Sequence, residues 1–497
     1  MRLEYKKNDN IATLSWCAKV KKDCIEVIHG NNVEITSDWF VEGAWNGNYD
    51  DGEFCTSDWF CGTGARVYDD KIIFSTSTDM TSGLFIRRTE GEYCVSNSLY
   101  LLMAIYNLHL DIQYAYYEVD FFTNTYGINN YKKTLHVLDD NNDDANVEVC
   151  YFSQIKMYNK QCEIIPKQDV DDFLDFSDYY SKLCSAMQNM YNNSKSISRK
   201  YRYGIVTTIS SGYDAACCAA VAKTIGCDTA VTFSAKGKYK EDSGLEVAKY
   251  LGYKNIYECD ADSYKHRSDY VEAEYICSGE LGASISFSAF DEYYAGNMVL
   301  SGERGDSIWD KNCMLPNREF FFEDWYPLLG HAERHLWLGY IHVPMPFFHG
   351  TAWPSIKKIS NSKEMEPFSL NNDYDRPIPR RICEEAGVPR EMFGMKKNGA
   401  GFIYRFDWLN RIKGRMSETS ATDFENYVKK HRRYRAGEIV SYFLKMKNIY
   451  LLRIGLKVTP PALGEQGRTA NPLAVRYLLP WAAEIVLNRY CESLRGE

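Results

Sequence analysis

The sequence predicts an α/β protein with two domains, a β-rich domain over residues 1–165 and a parallel-sheet domain over residues 166–497. In the first part, short apolar runs alternate with Gly, Asn and Asp turns, which is typical of antiparallel strands. From about residue 203 to 310, strand-like runs alternate with helical patterns, which indicates a parallel sheet. Residues 311–497 read as mainly helical, and the length exceeds that of one ordinary domain.

The strands of the first domain are predicted from the turn residues that separate its apolar runs. Its strand-like runs lie in the segments EGAWNGNYDDGEF, ARVYDDKIIFSTS and GLFIRRTEGEYCVSNS. One helix is predicted at about Leu99–Leu108. The acidic stretch 139–144 lacks the Gly and the closing Glu of an EF-hand, so it is predicted to be a solvated loop. Residues 166–200, at the start of the second domain, carry a helical pattern that leads into the strand at Tyr203.

A strand, a turn and a helix follow one another at the start of the second domain. The β-branched run Ile205–Ile209 predicts a buried strand, which ends at Ser210-Ser211-Gly212. Asp214 then opens an Ala-rich helix. Such a turn directs backbone N–H groups and a helix dipole to one point, which suits phosphate. The spacing of a Walker loop is absent, and a turn of this kind that binds nothing is an equally good interpretation of the isolated motif.

A second segment repeats this pattern. The apolar run Met298–Leu300 is followed by Ser301-Gly302-Glu303-Arg304-Gly305-Asp306. The carboxyl ends of neighbouring parallel strands form the ligand edge of open α/β sheets, so the two acidic turns are expected to face each other there. Asp214 and Asp306 would then suit Mg²⁺, which takes few protein oxygens and keeps phosphate and water as its other ligands.

Together these motifs resemble a known family. Ser210–Asp214 resembles the pyrophosphate-binding loop of the PP-loop ATP pyrophosphatases, and Ser301–Asp306 resembles the second signature of their asparagine synthetase branch. Ala230–Ser234 is similar to the second strand of that branch, Glu241-Asp242 leads into a similar helix, and Phe393–Lys397 falls where the branch has a basic loop. The order and approximate spacing fit over roughly residues 165–410.

The resemblance implies an ATP-dependent enzyme that adenylates a carboxylate, releases pyrophosphate and lets an amine displace AMP. ATP and Mg²⁺ are the implied cofactors. The residues that match the family's motifs are Glu303, Lys396 and Lys397 for catalysis, Ser210, Ser211, Gly212, Asp214, Phe233, Ser234 and Gly302 for nucleotide binding, and Asp214 and Asp306 for the metal.

The chain departs from the family pattern at three positions. Ser211 replaces the first loop glycine, Ala215 replaces a hydroxyl residue, and Ser307 replaces a second acid. These changes add a side chain near phosphate, remove a hydrogen bond and remove a charge. A divergent but active enzyme is favoured, and the alternative is a nucleotide-binding pseudoenzyme or scaffold of the same fold.

The first domain, residues 1–165, resembles the glutaminase sandwich of the same branch. That glutaminase uses an N-terminal cysteine whose free α-amine acts as the base. Here Arg2 follows Met1, and the first cysteine is Cys17. The domain is therefore interpreted as a degenerate, catalytically silent sandwich, as in β-lactam synthetases and lasso peptide cyclases. Ammonia or an amine of the substrate would then supply the nitrogen.

The overall charge limits the class of partners. The net charge is −9 and the isoelectric point is about 5.6, which argues against nucleic acid and anionic membrane as partners. No apolar stretch approaches a membrane span, and the N-terminus MRLEYKKNDN does not read as a signal peptide. The expected location is cytoplasmic, with reduced cysteines. The expected partners are a small-molecule or peptide carboxylate and an amine, and a homodimer is left open.

A histidine cluster and an arginine cluster each allow a functional and a purely structural interpretation. His331 and His335 are four residues apart, but Ala332 stands where a His-Glu-x-x-His protease has its Glu, so metal binding is not favoured. His342 and His349 lie in a segment that reads as a Pro-rich loop.

Arg376, Arg380 and Arg381 form a basic cluster beside acidic residues. A solvated, ion-paired helix start is the favoured interpretation of this cluster, and a site for an anionic substrate group is the alternative.

Overall fold

The computed structural model describes the chain over most of its length. The described residues are 1–21, 24–89, 91–114, 116–158, 161–235, 242–312, 318–319, 329–395, 404, 409–432, 443, 447 and 474–496. Within these ranges the protein is a mixed α/β structure, with two largely antiparallel sheets first, a parallel sheet next and helices towards the C-terminus. No helix in the described ranges combines the length and the apolar character needed to cross a membrane.

The N-terminal part contains two β-sheets. In spatial order, the first contains β1 (Arg2–Lys7), β3 (Cys24–His29), β2 (Trp16–Val20), β9 (Glu92–Ser96), β8 (Leu84–Thr89), β11 (Val147–Cys150) and β10 (Thr134–Leu135). The second contains β13 (Gln161–Pro166), β12 (Ser153–Tyr158), β7 (Lys71–Ser75), β6 (Phe60–Tyr68), β5 (Trp39–Trp45) and β4 (Glu34–Ile35). Only the pairing of β1 with β3 is parallel among these described strands.

An apolar core lies between these two sheets. Trp16 of the first sheet contacts Phe40 and Phe74 of the second, with ring centroids 4.9 and 6.0 Å away. Alternate residues of each strand are buried here, as the pleat requires. The prediction of a β-rich N-terminal part is confirmed.

The third sheet is parallel throughout. Its spatial order is β16 (Asn255–Cys259), β15 (Thr229–Phe233), β14 (Gly204–Thr208), β17 (Asn297–Ser301) and β18 (Ile341–Pro344). The predicted strands at 205–209, 230–234 and 298–300 are confirmed to within a residue or two. The prediction was wrong for β18, which lies where the sequence read as a Pro-rich loop. A four-residue strand ending in proline gives too short a pattern to recognise.

Helices cover both faces of the parallel sheet and connect it to the N-terminal part. The described α-helices are α1 (Leu99–Ile105), α2 (Tyr117–Phe122), α3 (Phe176–Ser194), α4 (Tyr213–Thr224), α5 (Leu245–Tyr250), α6 (Val271–Ile276), α7 (Asp291–Tyr294), α8 (Gly305–Ile308), α9 (Arg334–Leu338), α10 (Trp353–Ser360), α11 (Pro377–Glu385), α12 (Leu409–Lys413), α13 (Glu418–His431) and α14 (Leu478–Arg495). The predicted helix at Leu99 is confirmed but ends at Ile105, and the Ser98 side chain caps it by accepting from the Leu101 N–H.

Helix α4 is buried on most of its surface. Its alanines and the fully buried Cys217 and Cys218 keep it slim, so it packs closely against β14, β17 and α11. The two cysteines are therefore packing residues, as the sequence predicts. Their burial raises the pKa of both thiols well above the usual range.

The first and last parts of the chain share one apolar core, in which α14 packs on α1 and α6. Glu333, which precedes α9, links them with hydrogen bonds. Its carboxyl group accepts from Ser98 Oγ at 3.1 Å and from Tyr490 Oη at 2.6 Å. Burial raises the pKa of Glu333 to about 7, although these hydrogen bonds lower it.

This raised pKa predicts that Glu333 makes stability depend on pH. Its contribution is complete below the unfolded-state pKa of about 4.5 and is lost as the pH rises through about 7, because a buried carboxyl must then ionise. The loss amounts to at most about 3 kcal/mol. We expect Glu333→Gln, which cannot ionise, to flatten this decline in melting experiments between about pH 5 and pH 8.

The control for this prediction is Glu484→Gln, which changes an exposed glutamate of α14. It should leave the pH dependence of the melting temperature as in the wild type. An equally steep decline in Glu333→Gln would show that another group causes it.

Candidate functional site

Two glycines bring the turn after β17 into contact with the start of α4. A Cβ added at Gly302 would lie 2.5 Å from the Asp214 carbonyl carbon and 2.7 Å from the Ala215 nitrogen. A Cβ at Gly305 would lie 2.4 Å from Asp214 Oδ1. Since β14 and β17 are adjacent parallel strands, the two acidic turns meet at the carboxyl edge of the sheet, as the sequence predicts.

The turn after β14 has the form of a phosphate loop, but some of its N–H groups are already bonded. Gly212 is the N-cap of α4 in an extended conformation, with φ −76° and ψ 158°, and it has no side chain to cap the first turn of the helix. The Ser211 N–H donates to the Asp242 carbonyl at 3.1 Å, and the Gly212 N–H donates to Ser210 Oγ at 3.1 Å. A phosphate would therefore meet the first turn of α4 and compete for the N–H of Gly212.

Two buried arginines of the basic cluster, Arg376 and Arg380, lie against this turn. Arg376 is 2% exposed and Arg380 is fully buried, so the interpretation as a solvated cluster was wrong for both. Arg380 donates from Nη2 to Tyr213 Oη at 2.6 Å. Arg381 is the exception, since it pairs with Glu364 and Glu385 near the surface as predicted.

Arg376 interacts electrostatically with the two aspartates predicted to hold a metal. Burial alone would lower the pKa of its guanidinium, but Asp214, Asp306, Tyr374 and Asp310 together outweigh burial and raise it. Its Nη2 lies 3.4 Å from the backbone carbonyl oxygen of Asp306 and 3.9 Å from Asp310 Oδ2. Both aspartates therefore act on the charge of one buried cation.

The donor set of this edge fits Mg²⁺. Asp214 and Asp306 offer carboxylate oxygens from two turns that the glycines hold in contact, and both residues are partly exposed. Hard oxygen donors with room for phosphate and water are what Mg²⁺ prefers.

Glu303 lies in the second turn, close to other acidic groups. Burial raises the pKa of its carboxyl to about 7, with Asp79 and Asp306 acting in the same direction and Arg304 against it. Arg304 is buried in the left-handed region with φ 67°. Asp79 belongs to the N-terminal part, so that part extends to the candidate site. Burial likewise raises the pKa of the neighbouring Glu280 to about 8.

The side chain of His331 pairs with His342 and not with His335, the residue four positions further along the chain. His335 does not join His331 as a side-chain pair, because its Nδ1 bonds the His331 carbonyl and its Nε2 lies 3.7 Å from Glu42. The His331 ring instead lies 4.4 Å from that of His342, which sits in β18. The pairing of His331 with His342 was not predicted, because β18 was read as a loop.

The remaining predicted nucleotide residues lie at the same sheet edge. Phe233 ends β15 and stacks on Phe290 with centroids 4.7 Å apart. Ser234 follows, and its N–H donates to the Cys259 carbonyl at 2.9 Å. Both residues are next to the strand that carries the phosphate loop, and their role stays a prediction.

Lys396 and Lys397 lie outside the described residues. The chain just before them is bound to the turn after β14, because the Gly394 N–H donates to the Ser211 carbonyl at 2.7 Å. Gly394 has φ 62° and packs on the Tyr213 ring, so a side chain there would be strained and would clash.

Cys17 is unsuited to nucleophilic catalysis. It lies in β2 with 1% exposure beside Cys94. Burial raises the pKa of its thiol well above the usual range, and the contact with Cys94 acts in the same direction.

Comparisons with known proteins give little further information. No protein-family model and no curated protein matches the sequence. Among solved structures, the chain is similar to a glutamine-dependent NAD⁺ synthetase from Acinetobacter baumannii, solved in complex with ADP. The identity is 15% and the TM-score 0.21, over 68% of this chain and 58% of that one. The chain thus spans less than two thirds of that neighbour's length. With so low a TM-score, the similarity supports no conclusion about the function of this chain.

The contact at Gly302 predicts a specific effect of a single methyl group. Gly302→Ala would push against the backbone of Asp214 and Ala215, which cannot move cheaply. We expect the free energy of unfolding to fall by about 1–3 kcal/mol, measured by denaturant titration. Gly414→Ala is the control, because its nearest neighbours would be 3.5 and 3.7 Å away, an ordinary contact. Equal stability of the two variants would contradict the proposed close approach.

Proposed function

We propose that this protein is an ATP-dependent ligase that adenylates a carboxylate and joins it to an amine. The observation that carries the proposal is the contact between the turns of Asp214 and Gly302 at the edge of the parallel sheet. It brings a helix N-terminus, two carboxylates and a buried arginine to one place, which suits a metal-bound polyphosphate.

In the proposed first step, a carboxylate oxygen of the substrate attacks the α-phosphorus of ATP, and the bond to pyrophosphate breaks. The loop Ser210–Gly212 and the first turn of α4 would bind the leaving pyrophosphate through N–H groups. Asp214 and Asp306 would hold Mg²⁺, which supplies positive charge to the phosphates when bound. Arg376 adds a fixed buried cation beside both aspartates.

In the proposed second step, the amine nitrogen attacks the acyl carbon and AMP leaves. The amine must lose a proton, and Glu303 is a suitable acceptor because burial raises its pKa to about 7, close to neutral pH. Lys396 and Lys397 are proposed to neutralise the charge that develops on the phosphates. Their chain enters beside Ser211, which favours this role.

The proposed nitrogen source is ammonia or an amine of the substrate. The glutaminase of the branch that the chain resembles uses a reactive N-terminal cysteine, and the buried Cys17 does not offer a reactive thiol in this structure. The N-terminal part is therefore proposed to be catalytically silent.

The second candidate is a nucleotide-binding scaffold without catalysis. The internal hydrogen bonds of the loop N–H groups of Ser211 and Gly212 favour it, as does the replacement at Ser307. A screen of carboxylates for ATP–pyrophosphate exchange separates the two candidates. Exchange with one carboxylate would eliminate the scaffold, whereas nucleotide binding without exchange across a broad panel would count against the ligase.

The proposed binding of Mg²⁺ by Asp214 and Asp306 predicts that conservative substitution of either residue strongly lowers the exchange rate. Asp214→Asn and Asp306→Asn each remove one negative oxygen while keeping the side-chain size. We expect each to lower the exchange rate by at least about 100-fold, a barrier change near 3 kcal/mol, with little loss of stability. Asp262→Asn, which changes an exposed aspartate paired with Lys265, should keep the wild-type rate. Near wild-type exchange in either site variant would refute its metal role.

The proposed role of Glu303 as a base predicts that its substitution slows the second half-reaction and not the first. Glu303→Gln should keep ATP–pyrophosphate exchange, because the base acts after adenylation. Amide formation should slow by about 10²–10⁴-fold, measured as amide product and released AMP in single turnover. Glu292→Gln, at an exposed glutamate, is the control. Equal loss in both half-reactions would assign Glu303 to binding instead of proton transfer.

A further inference from the structure

Three side chains of metal-ligand type converge beside the end of β17. One ligand atom of Glu303, one of His331 and one of His342 all lie within 4.8 Å of one another. We propose that these three residues bind a divalent transition metal, with Zn²⁺ as the best match. This site would be separate from the Mg²⁺ site proposed at Asp214 and Asp306.

The three ligands come from different elements that the fold brings together. Glu303 follows β17, His342 lies in the neighbouring strand β18, and His331 precedes α9. His342 Nε2 is 3.6 Å from Glu303 Oε2. In a tetrahedral zinc site with bonds of about 2.1 Å, ligand atoms are about 3.4 Å apart. Glu303 and His342 already have this spacing, so a metal would need little movement of either.

A hydrogen bond fixes the orientation of His331. Its Nδ1 lies 2.6 Å from Tyr340 Oη, and Tyr340 is fully buried. With the Nδ1–H donating to this oxygen, the Nε2 lone pair is left for a metal. Metal-bound histidines commonly use their second nitrogen in this way, and the partner sets the tautomer and ring orientation.

The site is enclosed but has an opening. The side chain of Glu303 is 16% exposed and that of His342 is 6% exposed. His342 Nε2 now contacts Ser301 Oγ at 2.8 Å, and this hydroxyl would turn away when a metal takes the nitrogen. Three protein ligands leave a fourth position for water or a substrate atom, which is the pattern of zinc sites that do chemistry.

The ligand types determine the choice of metal. Two imidazoles and one carboxylate suit Zn²⁺, whereas Mg²⁺ prefers oxygen ligands only. With Zn²⁺ bound, the Glu303 carboxylate is a ligand, so the role as a free base proposed above belongs to the metal-free state of this site. The metal site does not depend on that proposed activity, since its test uses neither ATP nor a carboxylate.

The test is a metal titration of the full-length chain after treatment with EDTA. We expect one equivalent of Zn²⁺ to bind in calorimetry, and Co²⁺ in its place to give the intense visible absorption of a four-coordinate site. His331→Gln and His342→Gln should each weaken Zn²⁺ binding by at least about tenfold. Tyr340→Phe keeps all three ligands and should weaken it by about 10–100-fold, because the orienting bond to His331 is lost.

His136→Gln is the matched control. His136 lies 3.5 Å from Asp111 and 3.4 Å from Asp144, so it represents a histidine near carboxylates outside the site. This variant should bind Zn²⁺ like the wild type. Absence of Zn²⁺ binding, absence of the Co²⁺ absorption, or full binding in the His331 and His342 variants would each overturn the proposal. If those variants fail to fold, the Co²⁺ absorption of the wild type and the Zn²⁺ affinity of Tyr340→Phe decide whether the proposal holds.

Discussion

The close approach of Gly302 and Gly305 to Asp214 is the constraint on which the candidate site depends. Two turns from adjacent parallel strands lie so near each other that a single Cβ would overlap backbone atoms. This contact gathers Asp214 and, about ninety residues later in the chain, Glu303 and Asp306 at one sheet edge. It also fixes the direction in which Glu303 leaves the strand, because that residue follows directly after Gly302.

Buried cations face the acidic groups around this contact, and they come from α11 and the residue before it. Arg376, the N-cap of α11, interacts electrostatically with Asp214 and Asp306, and Arg380 bonds the hydroxyl of Tyr213 at the start of α4. Charged groups removed from water are stable only when they are paired or hydrogen-bonded. The packing of α11 against α4 therefore sets the electrostatics of the site as well as its shape.

The N-terminal sheets are part of the same arrangement. Burial raises the pKa of Glu303 and Asp79 acts in the same direction, and Ser98 bonds Glu333 together with Tyr490 from α14. The apolar core continues across these contacts. An N-terminal part whose Cys17 is buried thus still has a structural role, because it shares this core and its Asp79 acts on the charge of Glu303.

The sequence by itself determined three of the five described parallel strands, the two Ser/Gly turns with their aspartates, and the β-rich first part. These features depend on local patterns such as the β-branched run before Ser210. Only the tertiary structure decided the burial of Arg376 and the pairing of His331 with His342. A charged residue reads as exposed unless its partners are known, and those partners come from distant segments. The short strand that carries His342 has too few residues for a pattern, and it exists because β17 offers it an edge to pair with.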